Sequence, residues 1–377
     1  MNAIYLDNAA TTRMDPEVIE VMQAAMVENF GNPSSTHQFG RKAKSSLETA
    51  RKNIAKHFNV SAAEIIFTSS GTEADNLILH NAILNLDVTR IITSKIEHHA
   101  VLHACDFLQM SENIVVEYVN VDAFGNVDIL HLEKLLKASK VKTLVSLMMI
   151  NNEIGNLLSV HEIANICKLN NALFHSDTVQ VIGHYKIDLQ TTMIDFMVAS
   201  AHKFHGPKGV GFAFFRKGFG IVPMLHGGGQ EKGARSSTEN VHAILGMEKA
   251  LEIAHNTLEE DKIHIENLKI YFITELKKIS KDFLFNGHSG DLEKSSYTIL
   301  SVRFPTQNEM LLFSLDLAGI AVSGGSACQS GSNKGSHVLS EILKDGEEDK
   351  TSIRFSFSKF TKKEDIDCTI LKLKELF

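Results

Sequence analysis

The chain has 377 residues, enough for two domains at roughly 150 residues each and for a sizeable core. Its 44% hydrophobic and 22% charged residues are ordinary for a globular protein and exclude global disorder. A net charge of −7 argues against a dedicated nucleic-acid binder, and no apolar run approaches the roughly 18 residues of a membrane span. Met1 to Arg13 has no cationic start and carries Asp7 in its apolar patch, so it does not read as a signal peptide. Four cysteines without a CxxC pair suggest a reducing, cytoplasmic setting.

In chain order, Glu64 to Thr68 predicts a strand and Glu73 to Leu84 a helix, with Ala74, Leu77 and Ile78 on one face. Arg90 to Ser94 is a second strand, followed by a helix through Val101, Ala104, Cys105 and Leu108. Strand 115–119, helix 131–137 and the apolar run Thr143 to Ile150 come next; such a run suits a strand buried on both faces. Helix 163–170 leads to strands 172–175, 194–199 and 210–215. This alternation predicts an α/β fold with a mostly parallel sheet covered by helices. From about Val241 one long helical pattern runs to about Ile279, and separate strands and helices follow. The expected division is a large domain, 13–254, and a smaller α+β domain built from 1–12 and 255–377. Thr361 to Glu364 reads as a capping box for the last helix. Nine of the fourteen residues from Ser323 to Ser336 are Ser or Gly, which predicts an exposed, mobile loop.

Open parallel sheets hold ligands at the carboxyl ends of their strands, so reactive side chains just after strands matter most. Lys203 follows strand 194–199 in a glycine-rich turn, where a desolvated amine becomes a nucleophile for a carbonyl. On residue type alone, a surface lysine is the commoner reading, and Lys208 in the same turn is read that way. Asp177 follows strand 172–175; it suits a protonated ring nitrogen or a cap. Ser69 to Glu73 joins a strand to a helix start, with Gly71 permitting close approach and Thr72 adding a hydroxyl, as a phosphate cradle requires. His98 follows strand 90–94; it can stack on a flat ring and shuttle protons, or merely cap a helix. Together these four supply what pyridoxal phosphate needs.

Cys105, Cys167 and Cys368 follow apolar helical spacing and read as packing residues. Cys328 alone lies in the Ser/Gly loop, where an exposed thiol is a liability unless used. Arg354 alternates with Ile353 and Phe355, so it should face away from the core, suited to a carboxylate or to a surface salt bridge.

The sequence resembles the cysteine desulfurases of the nitrogen-fixation and iron–sulfur cluster type, fold-type-I pyridoxal phosphate enzymes. The resemblance spans nearly the whole chain. It rests on Tyr5 to Thr12, Phe30 to Ser35, Phe67 to Asn76, Glu97-His98, Asn151 to Gly155 and Asp177 to Gln180. It continues through Ser200 to Gly211, His226 to Glu231, Arg235 to Thr238, Ser323 to Cys328 and Ser352 to Ser356. Its long cysteine loop is similar to the group I branch. The resemblance implies that Lys203 holds the cofactor and acts as base at the substrate Cα. Asp177 would pair with the ring nitrogen, Gln180 meet the ring hydroxyl and His98 stack on the ring. Gly71, Thr72, Ser200 and His202 would form the phosphate site. Thr238 would reach the neighbouring subunit's phosphate in a homodimer. Asn152 and Arg354 would bind L-cysteine, and Cys328 would take its sulfur as a persulfide and pass it to an acceptor protein.

No metal, nucleic acid or membrane is expected. Two departures stand out: Ser236-Ser237 where Ser-Gly is common, and Ser323-Gly324-Gly325 for Ser-Ser-Gly. The chain also stops soon after its last helix, which bears on engagement of an iron–sulfur scaffold. The alternatives are an aminotransferase or a selenocysteine lyase of the same fold, and a non-catalytic sulfur relay.

Overall fold

A computed structural model of the protein describes residues 3–308, 310–324 and 335–377. Seven strands form the central sheet: β1 (Ile65–Thr68), β2 (Arg90–Ser94), β3 (Val115–Val119), β4 (Thr143–Ser146), β5 (Leu173–Ser176), β6 (Phe196–Ser200) and β7 (Gly211–Phe215). Their spatial order is β1-β7-β6-β5-β4-β2-β3, with every pairing parallel except those of β7. Every residue of β1, β2, β4, β6 and β7 is buried, as expected for strands covered on both faces. At the mouth of β6, Ser200 pairs with Gly211. A Cβ on Gly211 would stand 2.3 Å from the Ala199 carbonyl oxygen, so only glycine lets β7 lie this close.

The chain's last third builds a second core. Ile299–Arg303 lies antiparallel between Ser352–Ser356 and Leu284–Phe285. Helices Leu258–Ile279 and Lys363–Leu376 cover it through Leu268, Phe272, Ile366 and Leu373. The Phe272 and Phe355 rings meet edge to face at 4.9 Å. The N-terminus belongs here as well: Ile4–Tyr5 pairs in parallel with Ile320–Ala321.

Four expectations need correction. The long helical pattern is two helices, Val241–Asn256 and Leu258–Ile279, broken at Thr257. The Thr257 hydroxyl donates to Asp261 at 2.6 Å, and Glu259, Glu260 and Asp261 place negative charge in the new first turn, where the helix dipole favours it. The cap of the last helix lies one residue later, with Asp365 accepting the Lys362 N–H; the Thr361 hydroxyl instead accepts from Ser358. Cys368 is exposed rather than packed, whereas Cys105 and Cys167 are buried as expected. Arg354 and Ser356 do lie off the Ile353–Phe355 face, but both are buried, so that face does not meet open solvent.

Lys269 lies fully buried in the second core and donates to the Ser295 hydroxyl (3.0 Å) and the Ser296 carbonyl (2.7 Å). Burial pushes its pKa down to about 7. The unfolded chain therefore takes up this proton first as pH falls from about 10.5. Lys269 should make stability rise with pH between about 7 and 10.5, with no slope from this group below that window. Chemical denaturation across that range, comparing wild type with Lys269→Met, checks this; equal slopes would refute it.

Candidate active site

The carboxyl ends of β1, β2, β4, β5 and β6 surround a cavity of about 250 Å³. The segments that follow these strands deliver the functional groups to it. After β1, Ser70 caps helix Gly71–Leu84 by accepting the Glu73 N–H at 3.2 Å. The first-turn amides of Gly71 and Thr72 have no partner inside the helix, and the positive end of the helix dipole adds to them. A Cβ on Gly71 would meet Val179 Cγ2 at 2.6 Å, so the glycine keeps this turn against the loop that carries Asp177. Ser200 and His202 line the same cavity from the end of β6. His202 Nδ1 lies 3.1 Å from the Thr11 hydroxyl, and burial beside Lys203 and Lys208 pushes its pKa down to about 4.

After β2, His98 caps helix His99–Glu112, its Nδ1 accepting the Ala100 N–H at 3.1 Å. It also lines the cavity, so the capping role and the site role coincide. Burial, with positive charge at Lys203, pushes its pKa to about 4 and leaves a neutral imidazole at pH 7.

After β5, Asp177 is buried and accepts the Val179 N–H at 2.9 Å. Burial raises its pKa, and the amine of Lys203 pulls it back. Gln180 donates to the Ala9 carbonyl. After β6, the short turn Ala201–Lys203 aims Lys203 into the cavity, where its amine donates to the carbonyls of Ala9 (2.6 Å) and Ala10 (2.9 Å). Lys208 is exposed, as the sequence suggested.

Asn152 and Arg354 meet at one end of the cavity. Arg354 donates to the Asn152 carbonyl (2.6 Å) and to Asp7 (2.9 Å). Asn152 Oδ1 and Arg354 Nε are buried without a hydrogen-bond partner among the described residues. An acceptor and a charged donor left unmatched side by side suit the ammonium and carboxylate of an amino acid.

The structure thus brings together Gly71, Thr72, His98, Asn152, Asp177, Gln180, Ser200, His202, Lys203 and Arg354. Thr238 is exposed and does not line this cavity. Cys328 lies outside the described residues. Sequence reasoning missed Asp75, Glu97, Glu153 and His337 as neighbours of the site, and it missed the role of Asp7. It also missed that the acceptors for Lys203 are backbone carbonyls, which no side-chain pattern reveals. Among the described residues, no cluster could hold a metal ion, and no helix is long and apolar enough to cross a membrane.

The donor set fits pyridoxal phosphate: an anion cradle, a buried carboxylate, an amine and a neutral imidazole share one cavity. Residues 4–368 match the Aminotransferase class-V family, and the chain belongs to that family of pyridoxal phosphate enzymes, with a type I fold. Within it, the chain is similar to the cysteine desulfurase IscS of Dictyoglomus turgidum, with 41% identity over 99% of this chain and 94% of that one. A putative cysteine desulfurase, IscS 1 of Bacillus subtilis, is also 41% identical, over 95% of this chain and 94% of its own length. A solved NifS-like protein superimposes with a TM-score of 0.91 at 39% identity, over 99% of both chains.

Proposed function

We propose that this enzyme is a cysteine desulfurase that converts L-cysteine to L-alanine and holds the sulfur on Cys328. The observation that carries the reading is the joining of Lys203, Asp177 and His98 to the Asn152–Arg354 pair in one cavity. The full-length similarity to named cysteine desulfurases supports it. An aminotransferase would leave Cys328 without a task.

Bound here, pyridoxal phosphate supplies a sink for the electrons released at the substrate Cα. The first-turn amides of helix Gly71–Leu84, with Thr72, Ser200 and His202, hold its phosphate. Lys203 would hold it through the amine until the amino group of the substrate takes that place. Asp177 would keep a proton on its ring nitrogen, and Gln180 would meet its hydroxyl. Arg354 and Asn152 would orient the amino acid. The freed Lys203 amine would take the Cα proton. His98, neutral at pH 7, is a base able to accept the substrate thiol proton. The Cys328 thiolate attacks the substrate sulfur, forming an S–S bond as the Cβ–S bond breaks. Cβ gains a proton, Lys203 returns its proton to Cα so that L-alanine leaves, and Cys328 keeps the sulfur as a persulfide. Its delivery to an acceptor protein regenerates the thiol.

The wider reading is a cytoplasmic homodimer in which Thr238 serves the partner's phosphate site. The break at Thr257 supports a division into 13–254 and 1–12 plus 255–377.

The test is mass spectrometry of enzyme treated with L-cysteine. One added sulfur on the Cys328 peptide is expected. Cys328→Ser should bind cysteine yet release no alanine, because a hydroxyl is a poor nucleophile toward sulfur. Sulfur on Cys105, Cys167 or Cys368, or steady alanine release by the variant, would overturn the assignment. Cys105 is a poor competitor, since burial pushes its pKa up to about 12.

A further inference from the structure

Behind Asp177 the mechanism leaves a buried polar group unused. Asp75, on helix Gly71–Leu84, reaches the cavity wall and is 1% exposed. Its Oδ1 lies 3.3 Å from Nε2 of His175, which is 0% exposed. Neither atom has a hydrogen-bond partner among the described residues, so this close approach is the one polar contact on offer to each. The other ring nitrogen of His175 lies 2.9 Å from the Ser146 hydroxyl. His175 and Asp177 are two apart at the end of β5, so the same strand sets both.

The surroundings are crowded with acids. Asp177 faces Asp75 from the end of β5, and Glu97 faces it from the loop after β2. Cys105, from helix His99–Glu112, is also near. Glu97 is itself fully buried, accepting from Ser94 and from the Met148 N–H, both at 2.8 Å. Three buried carboxylates in one neighbourhood cannot all ionise. Burial raises Asp75 well above the usual carboxylate range, and it lowers His175 to about 3. Both directions favour the uncharged forms. A neutral acid facing a neutral imidazole satisfies both orphaned atoms with one proton, and it leaves Nδ1–H for Ser146.

We propose that a proton sits between Asp75 Oδ1 and His175 Nε2, making a neutral hydrogen-bonded pair. Asp75 then acts as a positioning residue that leaves Asp177 as the carboxylate presented to the cofactor ring. Its uncharged side chain fills the wall without competing for the ring's positive charge.

Infrared difference spectroscopy on the full-length protein tests this. Subtracting Asp75→Asn from wild type at neutral pH should show the loss of one protonated-carboxyl band that shifts in D2O. Loss of a carboxylate band instead overturns the proposal. Histidine nitrogen NMR needs no variant at Asp75: His175, assigned by His175→Gln, should read as a neutral ring protonated on Nδ1. An imidazolium signal refutes the pair. A third readout, the pH midpoint of the cofactor's visible band, should not move in Asp75→Asn, because one neutral group replaces another. Removal of a true anion would lower that midpoint by about one unit or more. This last readout rests on the cofactor reading and the other two do not. A colourless protein with a protonated Asp75 would sink the cofactor and leave the pair standing.

Discussion

Asp177→Asn should fold, retain pyridoxal phosphate and lose about 10²–10³ of its turnover, the scale for removing one preorganised electrostatic partner. The amide is the same size as the acid, and its oxygen can still accept the Val179 N–H. What it cannot do is carry negative charge. Burial makes ionised Asp177 costly on its own, so the carboxylate belongs where a cation completes it. On the proposed reading the protonated ring nitrogen would be that cation, and Asp177 would be the residue that holds its proton. Cofactor content by absorbance and alanine release by chromatography measure the two halves separately. Turnover at the wild-type level would remove Asp177 from the mechanism.

Arg51→Met should cost about 3–5 kcal/mol of stability, the penalty for stranding one partner of a buried ion pair. Arg51 and Glu231 are both buried and joined by two hydrogen bonds of 2.7 Å. The guanidinium also donates to the Ile65 carbonyl at 2.9 Å and lies 4.3 Å over the Phe67 ring. Glu231 accepts in addition the Phe67 N–H. The pair therefore ties helix Gln38–His57 and β1 to the turn at 230–233, where Glu231 itself adopts a left-handed φ of 47°. Arg51→Met leaves the carboxylate buried with one N–H donor. Arg51→Met combined with Glu231→Leu removes both charges and should recover much of the loss. Urea denaturation of the two single variants and the double variant closes the cycle. A loss below about 1 kcal/mol in Arg51→Met would mean that the pair is screened or replaced.

The reactive positions were legible because each follows a strand that reads plainly as one. Lys203, Asp177, His98 and Thr72 could be found by asking what comes next after each buried run. The break at Thr257 was not legible, since apolar spacing continues from Leu251 and Ile253 into Leu258 and Ile265. The Thr257–Asp261 hydrogen bond and the acidic first turn Glu259 to Asp261 mark the new start. Cys368 misled for a related reason: Ile366 and Ile370 flank it, yet the buried stripe of helix Lys363–Leu376 runs through Ile366, Thr369, Ile370 and Leu373 and bypasses it. Alternation placed Arg354 off the core face, but it could not show that this face meets Asp7 and the Asn152 carbonyl instead of open solvent. The Asp75–His175 contact joins residues a hundred positions apart, so local spacing carries no trace of it.

The segment from Leu6 to Thr12 ties the wall around Lys203 to the second core. Ala9 and Ala10 supply the acceptors for the Lys203 amine, while Thr12 pairs through backbone and side chain with the His202 carbonyl. On its other side the same segment is fixed by Ser356, which bonds to the N–H of Ala9, and by Arg354, which bonds to Asp7. Residues 347 positions apart thus close one wall around Lys203, so a change at Ser356 or Arg354 reaches the lysine through the backbone that accepts its hydrogen bonds.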